Sequence, residues 1–377
     1  MYTKKSDNRL IKLPTSLLAL LFSYQDQKSH CRLRCCSHVL TQTAELPSAS
    51  PLYIAVRASI LEPRNTTKTL SRLSPRIVHY TETSDLETLT TIASWPSFQR
   101  SVRQIDCLYA SHIGWDLSKL TNLERLTLLD TASMADTLMR ECRNTQLQIF
   151  VFRMTRFSVF TVNRDASSWC NLSMIRTLEL EQHQLHPEEQ EVVGTHLLQL
   201  QNVRLFCDRE NRGTVFERNA NLDFLTNLKR LETLQVGGLS YTKPLPLLPT
   251  VTHLDLSHFV ASRPLIGWNS LCTLSPPFDV DVVMDIIKDT WPATLTCLDF
   301  RRHPHMTTKG VERIVGNLGS RILAFRSSVR QIIISKLSTV LITTTTTTIP
   351  KPSLNEYIQH HFRDTIASLP YDIIFVP

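Results

Sequence analysis

Residues 231–256 read LETLQVGGLSYTKPLPLLPTVTHLDL. Leu231, Leu234 and Val236 open this stretch and Val251, Leu254 and Leu256 close it, so one LxxLxL spacing occurs twice at an offset of 20 residues. The LxL core reads as a short strand whose alternate residues turn inward. One such strand cannot bury its apolar face alone, so neighbouring copies must stack. The spacing returns at Leu123, Leu126 and Leu128, at Ile175, Leu178 and Leu180, and at Leu295, Leu298 and Phe300. The central residues of the five copies lie 52, 56, 20 and 44 positions apart.

Solenoid repeats of this kind recur every 20 to 29 residues or so, at roughly that period. Each longer gap is therefore expected to hold a degraded copy. Ile149 with Val151, Leu200 with Val203 and Leu205, and Leu271 with Leu274 are the candidates inside the gaps. Val102, Ile105 and Cys107 fit in front, and Leu323 with Phe325 behind. Helix-like stretches such as residues 307–318, where Val311, Ile314, Val315 and Leu318 keep helical spacing, fall between strands. Alternation of strand and helix predicts parallel pairing and an α/β solenoid.

Over residues 101–330 the chain resembles the leucine-rich repeat family. That family usually places Asn or Cys three positions after the LxL core, whereas here those positions are Thr131, His183, Leu239, Phe259 and His303. The hydrogen-bond ladder that Asn would supply is expected to be missing, with irregular turns as the result.

Upstream, Leu17, Leu18, Leu21 and Phe22 recur on one helical face after Pro14, which suits a first helical turn. The polar run Gln25 to Lys28 reads as a connection. A second helical pattern, Leu33, Cys36, Val39 and Leu40, stops near Pro47. A bundle of about 40 residues is small for independent stability, so leftover apolar surface would be buried on something else. Leu13-Pro14, Leu17-Leu18, Leu21-Phe22, Tyr24, Arg32-Leu33-Arg34 before Cys36, and Pro51-Leu52-Tyr53 together resemble the F-box. Ser16, Gln25 and Val39 depart from that family's usual Glu, Leu and Trp.

Charge and composition bound the rest. The chain has 377 residues with 41 Lys and Arg against 34 Asp and Glu, a net +7. Twelve of those cations and four of the acids fall in residues 1–76, so the excess belongs to the head and not to the repeats. No run of four cations and no interleaved aromatics accompany it, which does not point to nucleic acid. Nine glycines leave no GxGxxG, GxxxxGK[ST] or GxSxG loop. His30, Cys31, Cys35, Cys36 and His38 cluster without a paired zinc-ligand spacing. No catalytic, cofactor or metal residues are assigned, and no enzyme is expected. No run reaches the roughly 18 apolar residues of a membrane span. Residues 17–22 are too short an apolar run for a secretory signal, and nine scattered cysteines suit a reducing compartment. A cytoplasmic or nuclear location is expected.

The expected architecture is a basic tail (1–9), an F-box-like helical module (10–53), a connector with an irregular first turn (54–100), an irregular leucine-rich-repeat solenoid (101–330), and a low-complexity tail (331–377) that includes the run Thr343 to Thr348. The two resemblances together imply a substrate-recognition subunit of a cullin-RING (SCF-type) ubiquitin ligase. In that role Leu13, Pro14, Leu17, Leu18, Leu21, Phe22 and Leu33 would dock on a Skp-type adaptor. The repeats would hold a target protein on the residues flanking the inward leucines: Arg125, Thr127, Thr177, Glu179, Thr233, Gln235, His253, Asp255 and Asp299. Glu179, Asp255 and Asp299 put acids on that face, so a basic or polar target is one reading and a solvated polar face the other. The alternative function is a leucine-rich-repeat scaffold whose N-terminal helices cap the first turn, with no ubiquitin role.

Overall fold

The computed structural model describes residues 53–56, 76–81, 94, 96–108, 116–130, 135–144, 146–154, 165–183, 185–207, 222–238, 245–258, 268–276, 292–301, 329, 331–335 and 372–376. The F-box-like helices, the helical stretch at 307–318 and the polythreonine run lie outside the described residues, as do Leu323 and Phe325. The chain forms two compact units, Met1–Arg176 and Thr177–Pro377.

The first unit is built on five parallel strands: β1 (Tyr53–Val56), β2 (Ile77–Thr81), β3 (Gln104–Leu108), β4 (Arg125–Leu129) and β5 (Ile149–Arg153). They pair in chain order, β1 on β2, β2 on β3, β3 on β4 and β4 on β5. Ile105, Leu126 and Phe150 share one register position, and Cys107, Leu128 and Phe152 the next. All six side chains are fully buried. The inward row of β5 is therefore Phe150 and Phe152; Ile149 and Val151, expected inward, occupy the opposite phase. The run Ile-Phe-Val-Phe is apolar at every position, so its alternation could not be phased from sequence. Helix α1 (Pro96–Ser101) leads into β3, and α2 (Ala135–Glu141) lies between β4 and β5.

The second unit repeats the plan with β6 (Thr177–Glu181), β7 (Asn202–Phe206), β8 (Thr233–Gly237), β9 (His253–His258), β10 (Thr273–Ser275), β11 (Cys297–Asp299), β12 (Gln331–Ser335) and β13 (Asp372–Val376). Each pairs in parallel with the next. Leu178, Val203, Leu234, Leu254, Leu274, Leu298 and Ile332 hold one register position, and each is at most 2% exposed. Helix α3 (Pro187–His196) joins β6 to β7, with Pro187 in its first turn.

The ladder runs past the limits that periodicity gave it. Strands β1 and β2 belong to it, although Tyr53 was read as the end of the helical module and Ile77-Val78 as part of a connector. Strand β12 pairs directly with β11, and β13 with β12, where a tail was expected. Val329 and Ile332, both buried, belong to the turn that follows β11.

Among the described residues two strands are approached through 3₁₀ turns built on leucines three apart. Leu117, Leu120 and Leu123 close successive i to i−3 bonds, Leu120 N–H to Leu117 C=O at 2.9 Å and Leu123 N–H to Leu120 C=O at 3.0 Å. In the second unit Leu222, Leu225, Leu228 and Leu231 do the same at 3.0 to 3.1 Å. A 3₁₀ helix turns once per three residues, so leucines three apart line one side, and the period drops to two where the strand begins. The full signature is thus LxxLxxLxxLxL, and every leucine of both runs is buried.

A backbone ladder links the strand entries. At several strand entries one carbonyl accepts two successive N–H groups from the following turn, using both lone pairs. Arg103 C=O takes Glu124 and Arg125 at 2.8 and 2.9 Å; Glu124 C=O takes Gln148 and Ile149 at 2.8 and 3.0 Å. In the second unit Glu232 C=O takes Thr252 and His253, and Cys272 C=O takes Thr296 and Cys297, all within 3.0 Å.

Candidate functional site

Inward residues alternate with outward ones along each strand, so the register converts the flanking positions into rows. In the second unit Thr177, Asn202, Thr233, His253, Thr273, Cys297 and Gln331 share one outward row. This row carries no Lys, Arg, Asp or Glu. Asn202 donates to the Thr177 hydroxyl at 3.3 Å, and His253 is exposed. Glu179, Arg204, Gln235, Asp255 and Ser275 form the next row.

The acids of this face are engaged within the chain. Glu179 stands 3.8 Å from the Arg204 guanidinium. Asp299 is 8% exposed and is gripped by Arg301, whose Nε lies 2.9 and 3.0 Å from the two carboxylate oxygens and whose Nη2 lies 2.6 Å from Oδ2. The Arg301 N–H adds a bond to Asp299 Oδ1 at 3.0 Å. That grip holds the Arg301 guanidinium above its usual range. Burial first, and then the Asp299 charge, pushes the Cys297 thiol up. Asp255 is engaged as well, and Gln235 is only 9% exposed. The excess of carboxylate seen in the sequence is therefore largely compensated.

The first unit differs. Gln104, Arg125 and Ile149 share one row opposite the inward residues, and His79, Asp106, Thr127 and Val151 the next, in which Val151 is fully buried. Asp106, 8% exposed, accepts from Gln104 Nε2 at 3.1 and 3.2 Å and lies 3.1 Å from His79 Nε2. Arg125 and Thr127, both half-buried, come together on the central strand β4. Neither Arg125 Nε nor Thr127 Oγ1 has a hydrogen-bond partner, and both atoms are buried.

One buried ionisable pair was not anticipated. Glu189, 1% exposed, accepts the His186 N–H at 2.8 Å at the start of α3 and lies 3.8 Å from His183 Nε2. His183 is one of the positions where Asn would be usual, and it is buried here. The signal was legible only as Glu three residues after the helix cap.

Among the described residues no three His, Cys, Asp or Glu side chains gather as a metal-ligand group. Cys107, Cys142, Cys170, Cys207, Cys272 and Cys297 are free thiols. No helix of the described residues is long and apolar enough to cross a membrane. The adaptor-docking candidates Leu13, Pro14, Leu17, Leu18, Leu21, Phe22 and Leu33 lie outside the described residues.

No protein-family model matches the sequence. No curated protein matches it. Among solved structures, an internalin (inlF) from Listeria monocytogenes is similar at 12% identity, over 77% of this chain and 71% of that one, with a TM-score of 0.32. The repeat architecture described above stands on the strand register and the buried leucine positions.

Proposed function

We propose that the chain is a repeat scaffold that binds a protein partner on the outward face of its strands. The observation that carries this reading is the in-register row Thr177, Asn202, Thr233, His253 and Thr273. Neighbouring strands stand about 4.8 Å apart, so this row sets out a line of hydrogen-bonding side chains across the strands, along which a polypeptide can lie. Such a surface supplies contact and selectivity and requires no reacting group.

The test is site-specific photo-crosslinking in the full chain. A photoreactive residue at His253 or Thr233 should capture a partner polypeptide, and the same residue at the exposed Thr195 of α3 should not. Equal capture at both places, or none at His253 and Thr233, overturns the reading.

The apolar skeleton of residues 10–53 supports a narrower version, in which the scaffold presents its partner to a cullin-RING ubiquitin ligase in the cytoplasm or nucleus. Its mechanism would be proximity, with the F-box-like helices on a Skp-type adaptor and the strand face on the target. Co-purification of the full chain with that adaptor, abolished by the double change Leu17→Asp, Leu18→Asp, is the expected result, because charges do not enter an apolar contact. No co-purification, with capture at His253 intact, leaves the scaffold without the ligase role.

A further inference from the structure

We propose that the strand-entry edge of the second unit, centred on Leu247 and Pro249, is the ligand of a proline-reading groove on a partner protein, one lined by aromatic rings and rimmed by acids. It lies apart from the strand face and adds a second partner surface to the scaffold. Residues 245–249 read LPLLP. Proline fixes φ at about −65°, and the residue before a proline is confined to extended backbone. Pro246 and Pro249 fall under the first constraint and Leu245 and Leu248 under the second, so only Leu247 is unrestricted. Residues 245–248 accordingly form neither helix nor strand. These constraints dispose the segment to polyproline II backbone, which repeats about every three residues. Leu245 and Leu248 then share one edge, Pro246 and Pro249 a second, and Leu247 stands on the third. Burial follows that division. Leu248 is 3% exposed and anchors the segment, Leu247 is 51% exposed, and Pro249 is exposed as well.

The neighbouring repeats supply the rest of the surface. The turns ahead of β7, β8 and β9 close in the same way, Leu200 N–H on Leu197 C=O, Leu231 N–H on Leu228 C=O and Val251 N–H on Leu248 C=O, at 3.1, 3.1 and 3.2 Å. Leu198, Lys229 and Pro249 therefore hold one equivalent position in three consecutive repeats. Leu198 is 48% exposed, and Lys229 and Arg230 are exposed. Lys229 Nζ donates to Thr226 C=O at 2.7 Å and Arg230 Nη1 to Gln199 Oε1 at 2.5 Å, so both cations rest on uncharged acceptors. The exposed Glu232 offsets one of the two charges. Exposed proline and leucine beside a surplus cation match a groove whose aromatic rings pack on proline and aliphatic carbon and whose rim carries Asp or Glu. The prolines and the Leu248 anchor fix the segment before any partner arrives, so little ordering remains to be done on binding.

The experiment uses the full chain and a panel of purified SH3, WW and EVH1 domains, which read polyproline II segments through aromatic grooves. At least one immobilised domain should retain the chain, and excess decaproline peptide should displace it. Leu247→Glu should weaken retention by about 10- to 100-fold, the effect of withdrawing one buried leucine from a contact. Lys229→Glu together with Arg230→Glu should weaken it severalfold at low salt and less at high salt, where charges are screened. His253→Ala, on the strand face, should leave it unchanged. Each variant should keep the parent's thermal midpoint; should Leu247→Glu fail to fold, Leu247→Ser and the decaproline competition carry the same comparison. Retention by no domain, retention indifferent to Leu247, or retention that decaproline leaves intact overturns the proposal. So does association of the chain with itself through Leu247, read by sedimentation, with no domain bound. Loss of domain binding with photo-capture at His253 intact sinks this inference alone; loss of that capture sinks the strand-face scaffold.

Discussion

Trp169 meets Phe150 edge to face, with ring centroids 5.8 Å apart and ring planes at 86°. Both side chains are completely buried. Phe150 is the inward residue of β5, and Trp169 belongs to the 3₁₀ segment Ala166–Leu172 that follows it. The contact ties a strand to its own return segment, which is how a repeat turn closes. An edge-to-face pair contributes about 0.5–1.5 kcal/mol beyond its buried area.

Trp169→Ala should therefore cost about 3–5 kcal/mol, the range for emptying a large aromatic site in a packed core. Trp169→Phe should cost less, because a ring edge still reaches Phe150. Chemical denaturation followed by circular dichroism reads the difference; an unchanged midpoint for the alanine variant would show that the turn is not held here.

Gly194 on α3 has a second kind of close approach. A Cβ at this position would stand 3.0 Å from the Phe224 carbonyl oxygen and 3.2 Å from Phe224 Cβ. The backbone oxygen cannot swing aside as a side-chain tip would. Gly194→Val should thus force α3 away from the segment Asp223–Asn227 and destabilise by about 1–3 kcal/mol, the usual cost of overpacking. Gly194→Ala should fall nearer to neutral, since about 1 kcal/mol of helix propensity offsets a smaller clash. A thermal melt that ranks alanine below valine would contradict this geometry.

Two carboxylates at turn entries should respond oppositely to pH. Partial burial is the leading cause that raises the pKa of Glu141, opposed by the Leu117 N–H that it accepts at 3.0 Å. Asp165 is lowered, chiefly by the Ser167 hydroxyl and N–H that it accepts at 2.6 and 3.0 Å. A raised acid binds its proton more tightly when folded, so ionised Glu141 is a cost at neutral pH that disappears as pH falls toward the ordinary glutamate value near ~4.3. Glu141→Gln, which still offers an acceptor to Leu117, should be at least as stable as the parent at pH 7, with the difference shrinking in acid. Asp165 contributes above the ordinary aspartate value, and the contribution fades as pH falls through its lowered one. Asp165→Ala should accordingly be less stable at pH 7 and converge with the parent in strong acid. Stability measured from about pH 1.5 to 7 checks both signs.

The five clean LxxLxL copies were readable because aliphatic residues at inward positions alternate with polar ones, which fixes the phase of each strand. The turns that escaped lack that contrast. In β5 the outward Ile149 and Val151 are as apolar as the inward Phe150 and Phe152. In β12, Ile332, Ile333 and Ile334 run together, and the strand looked like a tail. The period-three leucines of the approach turns were visible but belong to neither helix nor strand templates, so they went unread. The outward positions were legible as positions, since Arg125, Thr127, Thr177 and Glu179 follow from the phase alone. Their state was not. Compensation of Glu179 by Arg204 depends on a strand 25 residues away, and the hold of His79 and Gln104 on Asp106 likewise joins neighbouring strands that the local sequence does not pair.

Strand exits hold the last prediction. Gln182, directly after β6, has φ of 56°, and Asp130, directly after β4, has φ of 51°. Each sends its N–H to the end of the next strand, Gln182 to Phe206 C=O at 2.6 Å and Asp130 to Arg153 C=O at 2.9 Å. Left-handed backbone costs an ordinary L-residue about 1–2 kcal/mol. Glycine escapes that cost but gives back about 0.4–1 kcal/mol through the freer unfolded chain. Gln182→Gly should then be neutral to stabilising by up to about 1 kcal/mol. Gln182→Val, whose branched Cβ tolerates this region poorly, should lose stability. Asp tolerates the left-handed region better than Gln, so Asp130→Gly should gain less than Gln182→Gly. Urea midpoints for the three variants decide it: a glycine gain at Asp130 equal to or above that at Gln182 would mean that backbone strain is not what distinguishes the two exits.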